Sequence, residues 1–183
     1  MNAKHADMGT LVAYWLGELD EAREGTLEEH YLGCAECSAR LQEVEALADG
    51  VKRSYKSGRV GAVVTSAFVE RLRSRGLQLR EYHVPRNGSV NCSIGPEHDV
   101  LLGYLDDVPL EGVARVDAVV VLDREIRLED VPFDAAAGQV VLAPSVELMR
   151  SLPAHREVVR LMAVEEGGDR LLGEYTFNHS QYR

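Results

Sequence analysis

In the run His30-Tyr31-Leu32-Gly33-Cys34-Ala35-Glu36-Cys37, one imidazole and two thiols stand at an H-x3-C-x2-C spacing. On a single helical path these positions fall at i, i+4 and i+7, so three metal donors share one face. Zinc takes such donors as thiolates and neutral imidazoles, four at a time and tetrahedrally in structural sites. His5, upstream, is the fourth candidate. Four protein ligands leave no position for water or substrate, so such a centre locks structure rather than catalysing. Cys34 and Cys37 also stand where a helix is expected to begin, and the free N–H groups there favour thiolates.

Two other readings of these residues exist. A lone CxxC is often a redox pair, but no strand precedes Cys34 and no βαβ pattern surrounds it, against a thioredoxin-like setting. His30 by itself would be an ordinary surface histidine; its joint spacing with both cysteines makes it a ligand candidate. Cys92 falls in a strand region and reads as a buried core thiol. His83, His98, His155 and His179 are scattered and follow no ligand spacing, so a second metal site is not expected from them. No Ser-His-Asp order, phosphate-binding glycine loop or dinucleotide fingerprint occurs. Asp106-Asp107 and Glu165-Glu166 sit in turn-like contexts and read as solvated loops.

The donors need elements to hold them. Leu11, Tyr14, Trp15, Leu16 and Leu19 predict a first helix over 10–19, with Gly17 inside it and Asp7 or Thr10 as its cap. A polar connection is expected over 20–25, then a short second helix capped by Thr26 and broken by Gly33. A third helix is predicted from Cys34 to about Tyr55, with Leu41, Val44, Ala48, Val51 and Tyr55 as a packing seam. After a break over 57–61, a fourth runs from Thr65 or Ser66 to Arg75 and stops at Gly76. Beyond it, stretches at 77–84, 90–94, 100–104, 113–122, 139–142, 157–164 and 170–177 read as strands, with a hairpin turn at 165–169. Ser145 to Leu152 fits a turn or two of helix. Many short strands with Gly and Pro punctuation predict a sandwich or barrel.

Charge divides along the chain. Of the net −10, residues 1–50 carry 3 Lys/Arg against 11 Asp/Glu, and residues 51–80 carry 8 against 1. An acidic first segment is a poor binder of DNA, whose phosphates need Lys and Arg, and a plausible binder of a basic protein. The bland alternative is that the acidic residues keep the protein soluble. At 45% hydrophobic the chain can bury a core. No apolar run is long enough to span a bilayer, the first ten residues carry no apolar signal core, and three cysteines do not make a disulfide scaffold. A cytoplasmic protein with no membrane contact is expected.

The stretch Leu11-Val12-Ala13-Tyr14-Trp15-Leu16-Gly17-Glu18-Leu19, then Leu27-Glu28-Glu29-His30, Cys34-Ala35-Glu36-Cys37 and Leu41, resembles the zinc-binding anti-sigma domain over about residues 4–76. His5, 25 positions before His30, resembles the branch whose fourth ligand is an N-terminal histidine and whose second domain is β-rich. Other members carry a cysteine there and release their partner by forming a disulfide; this chain has none before Cys34. The resemblance implies zinc on His5, His30, Cys34 and Cys37. It also implies an extracytoplasmic-function sigma factor as partner, gripped by three helices and a mobile fourth. Tyr14, Trp15, Phe68 and Leu72 are then the expected contact residues. For Phe68 and Leu72, packing against the chain's own helices is the alternative.

The expectation is therefore an α plus β chain in two domains. Residues 1–76 form a small zinc-bound helical domain, and residues 77–183 an antiparallel β-sandwich or barrel-like domain with a regulatory or sensor role. The second domain lacks the metal motif of the cupin found in that branch. The chain is expected not to be an enzyme, and to repress transcription initiation by sequestering the sigma factor. The rival expectation is a zinc-containing enzyme or small-molecule-binding protein acting through the β domain.

Overall fold

Three acidic or hydroxyl side chains decide where the helices start. In the computed structural model, which describes residues 5–58 and 61–182, Asp7 accepts from Thr10 N and opens α1 (Met8–Trp15). Asp20 accepts from Arg23 N and opens α2 (Glu21–Gly33). Thr65 caps α4 (Ser66–Ser74) in the same way through Phe68 N. Each side-chain oxygen satisfies an amide that the helix itself leaves unpaired. Between α2 and α4 runs α3 (Ala35–Lys56).

Two of the expected boundaries change. α1 ends at Trp15 rather than Leu19, because Gly17 takes φ 68° and closes a Schellman turn: Gly17 N donates to Tyr14 O, and Glu18 N to Ala13 O. The 20–25 stretch, expected as a connection, is helix. Asp20 captures the cap, Glu21 and Glu24 fill the favourable first turn, and Thr26 becomes interior, its hydroxyl bonded back to Ala22 O at 2.8 Å.

The chain divides into two compact units between Ser54 and Tyr55, upstream of the 76/77 boundary expected from sequence. The first unit has a core of one residue per helix: Leu11 from α1, Leu27 from α2 and Val44 from α3. Tyr14, Tyr31 and Leu41 pack around it half-buried. The predicted seam holds at Leu41 and Val44 and then runs out, since Val51 is 57% exposed.

The second unit holds two sheets. One has the order β1 (Ala62–Val64), β7 (Val140–Ala143), β4 (Val100–Leu105), β2 (Leu79–Val84). The other runs β3 (Ser89–Cys92), β9 (Arg170–His179), β8 (His155–Ala163), β5 (Val116–Val121), β6 (Glu125–Leu128). They face each other across Val84, Leu105, Val140 and Leu142 on one side and Val116, Ala118, Val159, Leu161 and Tyr175 on the other. The Phe177 ring packs close over Gly103, where an added Cβ would lie 2.9 Å from it.

The sandwich expectation holds in this coarse form. The sheets do not close into a barrel, and they are mixed rather than antiparallel: β2 pairs parallel to β4, and β3 parallel to β9. The cause is local. The turn after β2, with Asn87 at φ 57°, carries the chain from one sheet to the other, so each sheet gains a parallel edge strand.

α4 covers the outer face of the first sheet, burying Val69 against Leu102, Tyr104 and Val141. That packing is why it belongs to the second unit. Val64, directly before the cap of α4, lies in β1. A short α5 (Val146–Ser151), capped by Ser145, closes one end of the sandwich through Met149 and Val146. Among the described residues no helix is long and apolar enough to cross a membrane.

Candidate metal centre

Gly33 ends α2, and Cys34, extended at φ −121° and ψ 102°, stands between α2 and α3. His30 therefore sits in the last turn of α2 and Cys37 in the first turn of α3. The three donors converge across a helix junction and not along one helical path, as the spacing alone suggested. Cys34 N bonds Tyr31 O, and Ser38 Oγ also donates to Tyr31 O at 2.7 Å, which pins the junction. His5 arrives from ahead of α1.

The four side chains offer one donor atom each, all within 4.8 Å of one another. His30 Nε2 lies 3.3 Å from Cys37 Sγ; His5 Nδ1 lies 3.4 Å from Cys34 Sγ and 3.7 Å from Cys37 Sγ. A tetrahedral ion with bonds of about 2.3 Å to sulfur and about 2.0–2.1 Å to nitrogen sets its donors about 3.4–3.8 Å apart. The cluster thus fits a metal ion. Cys37 is fully buried, Cys34 and His30 are half-buried and His5 is exposed.

How an exposed histidine so near the chain start is aimed is answered by two residues that sequence reasoning passed over. Glu36 Oε2 lies 3.0 Å from His5 Nε2, and Arg40 Nη2 holds Glu36 Oε1 at 2.7 Å. Arg40 Nη1 also donates to Ala6 O. With its Nε2–H given to Glu36, His5 presents Nδ1 to the sulfurs, the usual way a carboxylate fixes a ligand's tautomer and direction. The i, i+4 pairing of Glu36 and Arg40 was visible in the sequence, but its target was not. Glu36→Gln should lower metal affinity about 10–100-fold while leaving the helical content of the metal-loaded protein unchanged. Competition against a chelating dye measures this.

The expected contact residues are placed as follows. Trp15 is 45% exposed at the end of α1. Tyr14 is engaged internally: its hydroxyl donates to Glu28 Oε1 at 3.0 Å and lies 3.4 Å from the Tyr31 hydroxyl. Both contacts, Tyr31 first and Glu28 second, raise its pKa. Phe68 is 39% exposed and Leu72 half-buried, both on the helix that packs on the first sheet.

Among the described residues no second group of three metal donors occurs. His83 stacks on Tyr104 at 4.3 Å and meets Asp106. His155 and His179 do come together, ring centroids 5.0 Å apart, with Cys92 Sγ 3.9 Å from His179 Nδ1. Cys92 is the buried thiol expected; burial, and after it the nearby Glu157, push it up to about 11. A thiol so raised is a poor ligand and a poor nucleophile at neutral pH.

No family model and no curated protein matches the chain. Among solved structures it is similar to the N-terminal domain of phage TP901-1 ORF48, at 12% identity and a TM-score of 0.37, over 56% of this chain and 98% of that one. A likeness of that degree carries no argument about fold or function. What the residues themselves establish is a two-histidine, two-cysteine cluster, built across a helix junction, that could hold a metal ion.

Proposed function

We propose that the helical unit is a zinc-locked clamp on another protein, and that the chain is an anti-sigma factor acting on a sigma factor of the extracytoplasmic-function type. Two thiolates and two imidazoles in a tetrahedral arrangement are a zinc donor set. A shell closed by four protein ligands gives the ion a structural and not a catalytic role, which favours a binding protein over an enzyme. The observation that carries the reading is the donor cluster at the α2–α3 junction, together with the apolar surface the helices leave open. Trp15, Leu16, Leu32 and Leu47 are 45%, 48%, 79% and 69% exposed. A unit with so small a core that leaves this much apolar surface in water is suited to burying it on a partner.

Charge points the same way. The first 50 residues hold 11 acidic against 3 basic side chains, which suits a basic, DNA-binding partner. The resemblance of the Tyr14-to-Leu19 and His30-to-Cys37 segments to the zinc-binding anti-sigma domain names the partner class. The β unit is then the regulatory part.

The test is reconstitution. The zinc-loaded full chain, mixed with each extracytoplasmic-function sigma factor of its host in turn, should form a stoichiometric complex with one of them and suppress run-off transcription by the corresponding holoenzyme. Trp15→Asp should weaken that complex by about tenfold or more without changing the far-UV spectrum, as removal of an aromatic anchor does. Failure to bind any sigma factor of the host would refute the assignment.

A further inference from the structure

Along β8 the residues facing the opposite sheet are apolar at Val159, Leu161 and Ala163, but the next inward position is Glu157. Its strand partner on β9 is Phe177, and directly paired residues point to the same side of a sheet. So a carboxyl group stands at the edge of an apolar core. Among the described residues no hydrogen bond or ion pair reaches it; the one electrostatic influence on it from among them is that of His155, two residues back on the same strand. Burial raises its pKa, as expected of a carboxyl group taken partly out of water without a partner. Structural stability gives no reason for such a group, since an apolar side chain there would extend the core.

What stands in front of Glu157 is a groove. Its volume is about 370 Å3, within the range of small-molecule sites, and its walls are Val120, Leu122, Ile126 and Leu128 from the second sheet with Leu142 and Leu148 opposite. Leu122 and Ile126, at the mouth, are 37% and 38% exposed. Beside it, sharing Leu142, Met149 and Glu157 as lining, is a smaller space of about 40 Å3 that Cys92, His155 and His179 also border. The arrangement is an apolar trough with one negative group in its lining.

We propose that this groove binds an amphipathic organic amine, its apolar body along the Leu122–Leu128 wall and its ammonium group on the Glu157 carboxylate. An ammonium supplies the partner that no described residue gives the carboxylate, and the pair forms where water is thinned, so the charge-assisted bond is stronger than at an open surface. A carboxylate ligand of the same length meets like charge and is refused; an alcohol keeps the apolar contacts but not the ion pair. Gly58 and Ala62 also border the groove, so an occupant touches the chain just after α3. The site does not depend on what the helical unit grips, and the two ideas fail separately.

The probes are n-octylamine, 1-octanol and octanoate, titrated into the full chain at neutral pH below their aggregation thresholds. Binding is followed through the methyl NMR signals of Leu122, Leu128 and Met149. Octylamine should bind about tenfold or more tightly than octanol, the difference a charged hydrogen bond makes, and octanoate should be the weakest. Glu157→Gln, close in shape, should bring amine and alcohol to parity while octanol binding persists. Equal binding of amine and alcohol by the natural protein would overturn the proposal. So would an unchanged preference in Glu157→Gln, shifts confined to other methyls, or no binding of any probe. The wild-type comparison decides the matter even if the variant folds poorly.

Discussion

Replacing Cys37 with serine should unfold the helical unit and leave the β unit standing. The side chain is fully buried, and its sulfur lies within 3.7 Å of both histidine donors. Judged as packing alone, exchanging a buried thiol for a hydroxyl without a ready partner costs about 1–3 kcal/mol. Judged as loss of a zinc ligand, it removes a large part of a binding free energy of about 10–16 kcal/mol. The second figure is comparable to the whole stability of an ordinary domain, about 5–15 kcal/mol. A unit whose buried core is Leu11, Leu27 and Val44 has little to set against that loss.

The two magnitudes separate the readings cleanly. On the metal reading, Cys37→Ser lowers bound zinc from one per chain to a trace. Amide-exchange protection over residues 8–54 collapses, while the strands from Leu79 to His179 keep theirs. A chelator applied to the natural protein should reproduce the pattern, and excess zinc should reverse it. Helices that survive both treatments would show that the donors are only neighbours. Acidification should act like the chelator, because thiolate and neutral imidazole ligands must lose their protons to bind, so affinity falls as pH falls.

The metal cluster was legible because its information is local and chemical: His30, Cys34 and Cys37 lie within eight residues, and their types admit few other uses together. What the spacing could not convey was the break at Cys34, since one extended residue between two helices leaves the same H-x3-C-x2-C run. Glu36 stayed hidden for another reason. Its role depends on His5 folding back over 31 positions, and nothing in a run of acidic residues marks the one that will meet an imidazole. The sandwich was readable from strand lengths and turns, yet β1 and β6 were missed. β1 is three residues long, and Glu125-Ile126-Arg127-Leu128 looks like loop until β5 pairs with it. The parallel edges follow from which sheet a strand joins, a tertiary choice made at the Asn87 turn. α4 was read as a helix from Thr65 or Ser66 and is one, but a helical pattern does not say which surface the helix covers; Val69 on the first sheet does.

Asp117→Ala should cost about 3 kcal/mol and remove part of the acid sensitivity of the β unit. Asp117 lies on β5 with its side chain 1% exposed, yet it is charged. Its carboxylate accepts from Arg127 Nε at 2.7 Å, from Asp130 N at 2.9 Å and from Arg115 Nε at 3.1 Å. Those contacts join β5 to β6 and to the segment after it, where Asp130 holds φ 51°, a conformation few residues other than glycine adopt. Through Arg127 the network reaches Asp169 at the β8–β9 turn, at 2.6 Å. Deleting one member of a buried ionic network typically costs about 3–5 kcal/mol, and the low end applies because both arginine side chains are 41% exposed and their charges can turn to water.

Burial alone would raise the Asp117 pKa. The Asp130 amide, then Arg127 and Arg115, outweigh it and hold the carboxyl below its ordinary 3.8. A folded-state pKa below the unfolded one means a stabilising contribution fully present above the unfolded value and lost as pH falls through the folded value. Urea unfolding of the β unit should therefore show a gap between wild type and Asp117→Ala that is constant at neutral pH and narrows below about pH 4, as the natural carboxyl is protonated in the unfolded chain. Asp117→Asn keeps one acceptor for the Asp130 amide and loses only the charge, so it should fall between the two. If Asn matches Ala, the ion pairs carry the effect; if Asn matches wild type across the whole range, the charge contributes nothing and the amide contact to Asp130 is what holds β6 against β5.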